Sequence, residues 1–178
     1  EKIVHDPRLV WNTLDIVEQY KGVTVQSKSG HSFIKDKMRE HNAVYGGEMS
    51  AHHYFRDFAY CDSGMIPWLL AISVLSDTKQ SLSSLVEDMI TKFPCSGEIN
   101  FKVADTKVTI QKIFDHFADQ KPAIDYTDGV SLDFGAWRLN VRASNTEPLL
   151  RLNIESRLDR NPKPMQDYVD ELTTLIEG

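Results

Sequence analysis

The sequence has few cysteines. Of its 178 residues only Cys61 and Cys95 are cysteines, and neither belongs to a C-x-x-C pair or to a histidine-rich segment. This spacing argues against a zinc site and against a disulfide framework. We therefore expect two free thiols, as is usual for a protein of the reducing cytoplasm.

Long hydrophobic segments are absent as well. The densest apolar stretch, residues 65–75, contains Pro67 and Ser73 and is far shorter than the ~20 residues that cross a bilayer. We interpret this stretch as a buried helix. The N-terminal residues show neither an initiator Met nor the apolar core of a secretion signal. We therefore expect the chain to begin within a longer protein.

The charge balance has no strong excess of one sign. The chain carries 26 acidic and 20 basic residues, a net charge of -6. Such a surface offers no uniform positive field for nucleic acid or for an anionic membrane, and we expect neither as a partner. A phosphate ligand would have to be bound in a local basic pocket.

The first half of the chain has the pattern of an α/β domain. Periodicities of two and of 3.6 alternate in the order βαβαβ, over residues 2–5, 10–17, 23–25, 33–38 and 43–45. Two further helices are expected to begin near Gly64, capped by Asp62 and Ser63, and at Ser81. This order predicts a three-layer α/β domain with a mainly parallel sheet over residues 1–93.

The pattern changes after the segment Phe93-Pro94-Cys95-Ser96-Gly97, where we place a domain boundary. The following residues show a helical pattern, three strands of period two and a last amphipathic helix, over residues 108–117, 130–134, 137–141, 150–154 and 165–176. We predict a smaller α+β domain over residues 98–178, with an antiparallel sheet covered by helices.

A polar segment, Arg142-Ala143-Ser144-Asn145-Thr146-Glu147-Pro148, lies between two of these predicted strands. A guanidinium, hydroxyls, an amide and free backbone N–H groups suit a phosphate dianion. The alternative is an ordinary Asx-type turn that ends at Pro148 and leaves Arg142 solvated.

A second polar segment, Gly46-Gly47-Glu48-Met49-Ser50-Ala51-His52-His53, follows a predicted strand, at the kind of position where α/β sheets bind ligands. Glu48 and Ser50 could hydrogen-bond sugar hydroxyls, and one histidine could carry a proton near neutral pH. The alternative is a glycine turn with solvent-facing histidines. Adjacent residues of an extended chain point to opposite sides, so we expect only one histidine to face a ligand and no metal pair.

A third segment, Ser27-Lys28-Ser29-Gly30-His31-Ser32, precedes a predicted helix. The free N–H groups and the helix dipole would favour an anion there, with Lys28 and His31 adding positive charge. The alternative is a helix cap in which Gly and Ser only serve the turn.

These segments resemble motifs of the α-D-phosphohexomutases. Gly47-Glu48-Met49-Ser50-Ala51-His52 resembles their G-E-x-S-G-H sugar-binding loop, and the segment from Arg142 to Pro148 resembles their R-x-S-N-T-E-P phosphate-binding loop. Ser29-Gly30-His31-Ser32 with Ile34-Lys35 is similar to T-G-H-S-x-I-K of the phosphomannomutase branch, where Asp6-Pro7-Arg8 stands at the place of a basic ligand. Ala51 departs from the usual Gly, which argues against a positive φ there.

The resemblance implies the C-terminal half of a cytoplasmic phosphomannomutase, with domains three and four of four. Such an enzyme converts mannose 6-phosphate and mannose 1-phosphate through a 1,6-bisphosphate, for GDP-mannose and surface polysaccharide synthesis. The family's T-A-S-H-N-P phosphoserine loop and D-G-D-x-D-R magnesium loop are missing from this sequence. The resemblance therefore implies an N-terminal half as partner, Mg²⁺ bound there, glucose or mannose 1,6-bisphosphate as activator, and no turnover by this chain alone.

The resemblance also implies roles for individual residues. His52 is the expected catalytic residue, and no metal ligand is expected in this chain. The residues expected to bind hexose phosphate are Arg8, His31, Glu48, Ser50, Arg142, Ser144, Asn145 and Thr146. Two alternatives remain open: a non-catalytic sugar-phosphate-binding module, and a fragment of a phosphoglucomutase or phosphoglucosamine mutase.

Overall fold

The computed structural model describes residues 1–144, 148–160 and 162–178. It divides into two compact units, Glu1–Thr91 and Lys92–Gly178. Among the described helices, none is both long enough and apolar enough to cross a membrane.

The first unit alternates strands and helices and then continues into two further helices. Its elements in chain order are β1 (Lys2–His5), α1 (Trp11–Gln19), β2 (Val23–Gln26), α2 (His31–His41), β3 (Tyr45–Gly47), β4 (His53–Phe55), β5 (Cys61–Asp62), α3 (Met65–Thr78) and α4 (Leu82–Lys92). The predicted βαβαβ order is confirmed for β1 to β3. Its core contains α2 side chains four residues apart, Ile34 and Met38, packed with Val4 and Tyr54.

The sheet of this unit is mixed, so the predicted mainly parallel sheet is confirmed only in part. The strands lie in the order β2-β1-β3-β4-β5, and β1 pairs in parallel with β2 and β3. β4 and β5 are antiparallel to their neighbours, because the chain after β3 returns through a short loop rather than through a crossover helix. These two strands are too short for a period of two to be visible in the sequence.

The helix α3 is exposed, and the prediction that residues 65–75 form a buried helix is wrong. The hydroxyl of Ser63 accepts the Ile66 N–H at 3.2 Å, which confirms Ser63 as a cap, whereas Asp62 bonds to His52 and His53 instead. None of the helix residues is buried. Trp68 is 56% exposed, Leu69 56% and Leu70 53%, an apolar surface of the kind that marks interaction sites.

The second unit is an antiparallel sheet with helices, as predicted. Its elements are β6 (Cys95–Lys102), α5 (Thr106–Phe117), β7 (Ala123–Asp125), β8 (Val130–Asp133), β9 (Trp137–Ala143), β10 (Leu149–Ser156) and α6 (Met165–Glu177), and the strands lie in the order β6-β10-β9-β8-β7. All four pairings are antiparallel among the described strands. α5 contacts β9 and α6 contacts β10. Residues 93–97, where the order of predicted helices and strands changes, contain the beginning of β6 at Cys95.

Both sets of alternating side chains along β9 are buried. Leu139 and Val141 join the apolar core. Arg138, Asn140 and Arg142 point to the opposite face of the sheet and are 3%, 0% and 7% exposed. Buried polar groups require partners. Accordingly, the Arg138 guanidinium lies 2.7 Å from the Glu155 carboxylate, and the Asn140 amide donates to Asp128 O at 2.9 Å.

Gly129 allows the chain to pass closely over β9. Its φ is +74°, and a Cβ added there would lie 2.3 Å from Val141 O and 2.5 Å from Arg142 Cβ. We expect Gly129→Ala to lower the free energy of unfolding by about 2–5 kcal/mol, since a left-handed residue costs roughly 1–2 and overpacking roughly 1–3 kcal/mol. Urea denaturation measures the loss.

Gly135→Ala is the matched control for this substitution. Gly135 has a φ of +83°, but a Cβ there would meet no described atom within 4 Å. Only the conformational cost of about 1–2 kcal/mol is expected. Equal losses in the two variants would contradict the close contact at β9.

Candidate functional site

The carboxylate of Asp6 joins the loop after β1 to the loop after β3. One oxygen, Oδ1, accepts the Arg8 N–H at 2.9 Å. The other, Oδ2, accepts the Arg8 guanidinium at 2.6 Å and the Met49 N–H at 2.8 Å. Asp6 is 3% exposed and Arg8 5%. The predicted basic ligand Arg8 is therefore a buried residue paired with a neighbouring carboxylate.

The carboxylate of Glu48 makes a second connection between loops. Its Oε1 accepts the Gly30 N–H, at the end of the loop after β2, at 2.6 Å. Its Oε2 accepts the Tyr54 hydroxyl at 2.6 Å. Glu48 is 8% exposed, and each carboxylate oxygen keeps a further lone pair for a ligand. Two buried carboxylates thus hold together the loops that follow the three parallel strands.

The loop between β3 and β4 is a tight hairpin. Glu48 N–H donates to His52 O at 3.0 Å, and Ala51 N–H donates to Glu48 O at 3.0 Å. Ala51 has a φ of +63°, whereas the replacement of glycine by alanine argued against a positive φ here, so that expectation is wrong. The turn requires this conformation, and the small Cβ adopts it at a cost of roughly 1–2 kcal/mol. Ser50, a predicted sugar ligand, is exposed at the tip.

His52 is oriented by the carboxylate of Asp62, which the sequence pattern predicts only as a helix cap. Its Nδ1 lies 2.7 Å from Asp62 Oδ2, and Asp62 Oδ1 accepts the His53 N–H at 2.9 Å. Burial raises the pKa of Asp62, but these hydrogen bonds and the positive charge of His52 and His31 outweigh burial and keep the pKa below its ordinary 3.8. An ionised Asp62 favours the proton on Nδ1, which leaves a lone pair on Nε2 of neutral His52.

The two adjacent histidines have different partners, as the alternation of an extended chain predicts. His53 Nδ1 lies 2.7 Å from the Tyr45 hydroxyl, whose pKa is raised by burial. The ring of His52 instead lies beside the ring of His31, with 4.4 Å between centroids. His31 is also 5.3 Å from the Tyr54 ring. The predicted residues His31 and His52 are therefore brought together.

We call His31, His52 and Asp62 the histidine cluster. Burial and the hydrogen bond to Glu48 raise the pKa of the neighbouring Tyr54, which stays a proton donor. Sequence reasoning missed the roles of Asp62 and Tyr54. A general rule gives a hint for Asp62, because a histidine that transfers protons needs a carboxylate or carbonyl to orient its ring.

Arg142 lies on a strand and is buried, which makes the alternative of a solvated turn arginine wrong. Its guanidinium is 3.4 Å from Glu98 Oε2, and Glu98 Oε1 is 3.4 Å from the Arg151 guanidinium. The buried Nε of Arg142 has no hydrogen-bond partner among the described residues. Ser144 N–H donates to Leu149 O at 2.8 Å. The predicted ligands Asn145 and Thr146 lie outside the described residues.

The donors of the histidine cluster do not suit Mg²⁺. In the described part of the chain, the histidine cluster is the group of three possible ligands that lies close enough to hold a metal, with its ligand atoms all within 4.8 Å of one another. Mg²⁺ prefers six oxygen ligands, whereas this group offers two imidazoles and one carboxylate. The histidine cluster is therefore unsuited to Mg²⁺.

Comparison with known proteins gives the same family over both units. The family model "Phosphoglucomutase/phosphomannomutase, alpha/beta/alpha domain III" matches residues 1–93, and the model "Phosphoglucomutase/phosphomannomutase, C-terminal domain" matches residues 98–172. The chain is 59% identical to a Xanthomonas campestris protein named "Phosphohexose mutases" over 177 residues, covering 99% of this chain and 39% of that protein.

A phosphomannomutase of Vibrio cholerae is 56% identical over 177 residues, covering 99% of this chain and 38% of that protein. The chain thus spans less than two fifths of the length of these relatives. A crystal structure of a phosphoglucomutase/phosphomannomutase family protein from Burkholderia thailandensis has a TM-score of 0.73 at 24% identity, covering 99% of this chain and 38% of that one. That likeness supports the fold.

The Asp6 connection predicts a dependence of stability on pH. Burial raises the pKa of Asp6, but the hydrogen bonds and charge of Arg8 outweigh burial, so the pKa lies below 3.8. We expect Asp6→Asn to lower the free energy of unfolding by about 3–5 kcal/mol at pH 7, because the substitution removes the carboxylate charge that lies 2.6 Å from the buried Arg8 guanidinium. The stability that ionised Asp6 contributes is fully present above pH 3.8, the ordinary pKa of aspartate. It is lost as the pH falls through the lower pKa that Asp6 has in the folded state. The difference in the free energy of unfolding between Asp6→Asn and wild type should therefore become smaller in acid.

Urea denaturation at pH 7, 5 and 3 checks this expectation. Glu40→Gln is the control, because Glu40 also pairs with a cation, Lys37 at 2.8 Å, but is exposed. We expect a negligible change in that variant, as for most surface pairs. Equal effects of the two substitutions, or a constant effect of Asp6→Asn down to pH 3, would contradict the proposed connection.

Proposed function

The chain belongs to the phosphoglucomutase/phosphomannomutase family, and from this we infer that it forms the hexose-phosphate-binding part of a phosphomannomutase. The proposed reaction is the reversible conversion of mannose 6-phosphate and mannose 1-phosphate through a 1,6-bisphosphate. Mannose 1-phosphate would then serve GDP-mannose and polysaccharide synthesis in the cytoplasm. The observation that carries the proposal is the histidine cluster, held by buried carboxylates at the carboxyl ends of parallel strands.

His52 is the proposed proton carrier. The hydroxyl that attacks phosphorus must lose a proton, and the Nε2 lone pair of neutral His52 can accept it. Asp62, 2.7 Å from Nδ1, would hold the ring and stabilise the imidazolium that forms. A positioned general base of this kind contributes typically about 10²–10⁴-fold to a rate.

Glu48 and Ser50 are the proposed ligands of the sugar hydroxyls. Ser50 is exposed at the hairpin tip and is accessible to a ligand. Glu48 is held by Gly30 and Tyr54, so its remaining lone pairs have a defined direction before the sugar arrives. This preorganisation reduces the entropy cost of binding. His31 would add a donor or a positive charge beside His52.

Arg142, Ser144, Asn145 and Thr146 are the proposed grip on the phosphate that is not transferred. The buried guanidinium of Arg142 lies 3.4 Å from the Glu98 carboxylate. A hydrogen bond of this length is weak, and a phosphate oxygen could replace it. Its planar donors match a phosphate, and such a grip would orient the opposite end of the sugar for in-line attack. Arg8 contributes by holding Asp6 in place.

The remaining part of the longer enzyme is the proposed partner. The phosphoserine and the magnesium ligands of the family would have to come from it, with a 1,6-bisphosphate as activator, because this sequence holds neither motif. The chain spans 38% of the length of a phosphomannomutase. The exposed apolar surface of α3, with Trp68, Leu69 and Leu70, is the proposed contact.

The isolated chain should fold but show no mutase turnover, because it lacks a residue for the transferred phosphoryl group. Adding the N-terminal part of the enzyme, expressed separately, should restore activity measured with mannose 1-phosphate. Activity of the chain alone would contradict this assignment.

Tryptophan fluorescence reports on the contact independently of activity. Trp68 is 56% exposed, whereas Trp11 and Trp137 are 2% and 8% exposed. Binding of the N-terminal part should protect Trp68 from iodide and shift the emission to shorter wavelength. The Trp68→Phe variant, with its two buried tryptophans, should show little change. A complex that forms without protecting Trp68 would place the contact elsewhere.

Arg142→Ala in the intact enzyme tests the phosphate grip. Losing a charge-assisted contact costs about 1.5–3 kcal/mol, so kcat/KM should fall roughly ten- to a hundredfold. Since Arg142 is buried, the melting temperature should fall as well. Arg151→Ala is the matched control, because Arg151 also lies 3.4 Å from Glu98. Arg151→Ala should lower the melting temperature but leave kcat/KM within about twofold of wild type. An equal loss of kcat/KM in the two variants would show that the defect comes from the lost contacts with Glu98 and not from a phosphate grip by Arg142.

A further inference from the structure

The histidine cluster combines donors that transition metals prefer. His31 comes from the first turn of α2, His52 from the hairpin after β3, and Asp62 from β5. Ligand atoms of all three lie within 4.8 Å of one another. Two imidazoles and one carboxylate, with further positions open, suit Zn²⁺, Co²⁺ or Ni²⁺ and not the hard cations Mg²⁺ and Ca²⁺.

We propose that His31, His52 and Asp62 form a binding site for a divalent transition metal of the Zn²⁺ class. The shortest ligand pair is His52 Nδ1 and Asp62 Oδ2, at 2.7 Å. Bonds of about 2.0–2.2 Å in a tetrahedral site place neighbouring ligand atoms about 3.3 Å apart. The pair therefore needs to open by about half an ångström. Nδ1 of neutral His52 becomes a ligand when its proton moves to Nε2, because a lone pair on Nδ1 then faces the metal.

The surroundings of the pair support a ligand role for Asp62. Its other oxygen, Oδ1, accepts the His53 N–H at 2.9 Å, and this bond orients the carboxylate with Oδ2 toward His52. Hydrogen bonds of this kind are typical of the groups around a metal ligand. His31 is exposed and lies on the surface of the first helical turn, so its side chain has room to rotate toward the pair.

The nearby charges set the strength of the site. Lys35 Nζ lies 5.9 Å from the centre of the Tyr54 ring, beside His31, and opposes a cation. The carboxylate of Glu48, bonded to the Tyr54 hydroxyl, favours one. With the metal on Nδ1, His52 would carry its proton on Nε2 and could not accept another, so bound metal would inhibit the mutase, a consequence that rests on the proposed function.

Cobalt absorption tests the site without any assay of activity. The full 178-residue chain, freed of metal with EDTA, is titrated with Co²⁺ while the visible d–d bands are recorded. We expect one equivalent of Co²⁺ in a four- or five-coordinate site. Zn²⁺ should displace it, and a hundredfold excess of Mg²⁺ should not. The absence of a saturable spectrum would overturn the proposal.

Substitutions assign the ligands. His31→Gln and Asp62→Asn should each weaken Co²⁺ binding at least tenfold, with circular dichroism showing that both variants are folded. His116→Gln is the matched control, because His116 Nε2 forms an exposed pair with Glu171 Oε1 at 3.2 Å. Equal affinities of His31→Gln and His116→Gln would overturn the proposal.

A thiol must be excluded as the ligand. Cys61 is exposed and precedes Asp62 in the chain. Cys61→Ser should keep the Co²⁺ spectrum and affinity, and loss of the spectrum in this variant would overturn the assignment to the histidine cluster. Because none of these readouts depends on mutase activity, a failure of the metal site and a failure of the proposed function give different results.

Discussion

The hydrogen bonds of the Glu48 carboxylate are the constraint on which the arrangement of the first unit depends. One oxygen accepts the Gly30 N–H and the other the Tyr54 hydroxyl, each at 2.6 Å. Hydrogen bonds to a charged group contribute about 1.5–3 kcal/mol each, and an unpaired buried carboxylate would cost more. Gly30 precedes His31, and Tyr54 follows the two histidines of the hairpin. The Glu48 carboxylate therefore links the two segments that carry His31 and His52. Asp6 links the loop after β1 to the loop of Glu48 through the Met49 N–H.

In the second unit, burial on the sheet fixes the position of Arg142. β9 buries polar side chains on one face and apolar side chains on the other, so Arg142 is held by the sheet and not by a flexible loop. Gly129 permits the chain to approach the backbone at Arg142 closely. A rigid strand defines the direction of a guanidinium better than a loop does, and the proposed grip on a phosphate would require such rigid placement.

Apolar composition was the weakest guide to position. Residues 65–75 have the composition of a buried helix, yet none of the residues of α3 is buried. Apolar composition indicates that a helix face avoids water, but it does not indicate which part of the protein buries that face. This chain spans 38% of the length of its relative from Vibrio cholerae, and the proposed contact of α3 is the remaining part of the longer enzyme.

The sequence by itself determined the elements with long periodicity, such as α5 and β8 to β10, and the motifs that identify the family. It also indicated that His52 and His53 have different partners. Only the tertiary structure decided that β4 and β5 are antiparallel, that Arg8 and Arg142 are buried beside carboxylates, and that His31, His52 and Asp62 meet. The reason is physical: periodicity records which face of an element avoids water, a local property of neighbouring residues. The partner of a charged side chain depends on which loops the sheet brings together, and residues 21 and 10 positions apart in the chain become neighbours only when the strands have paired.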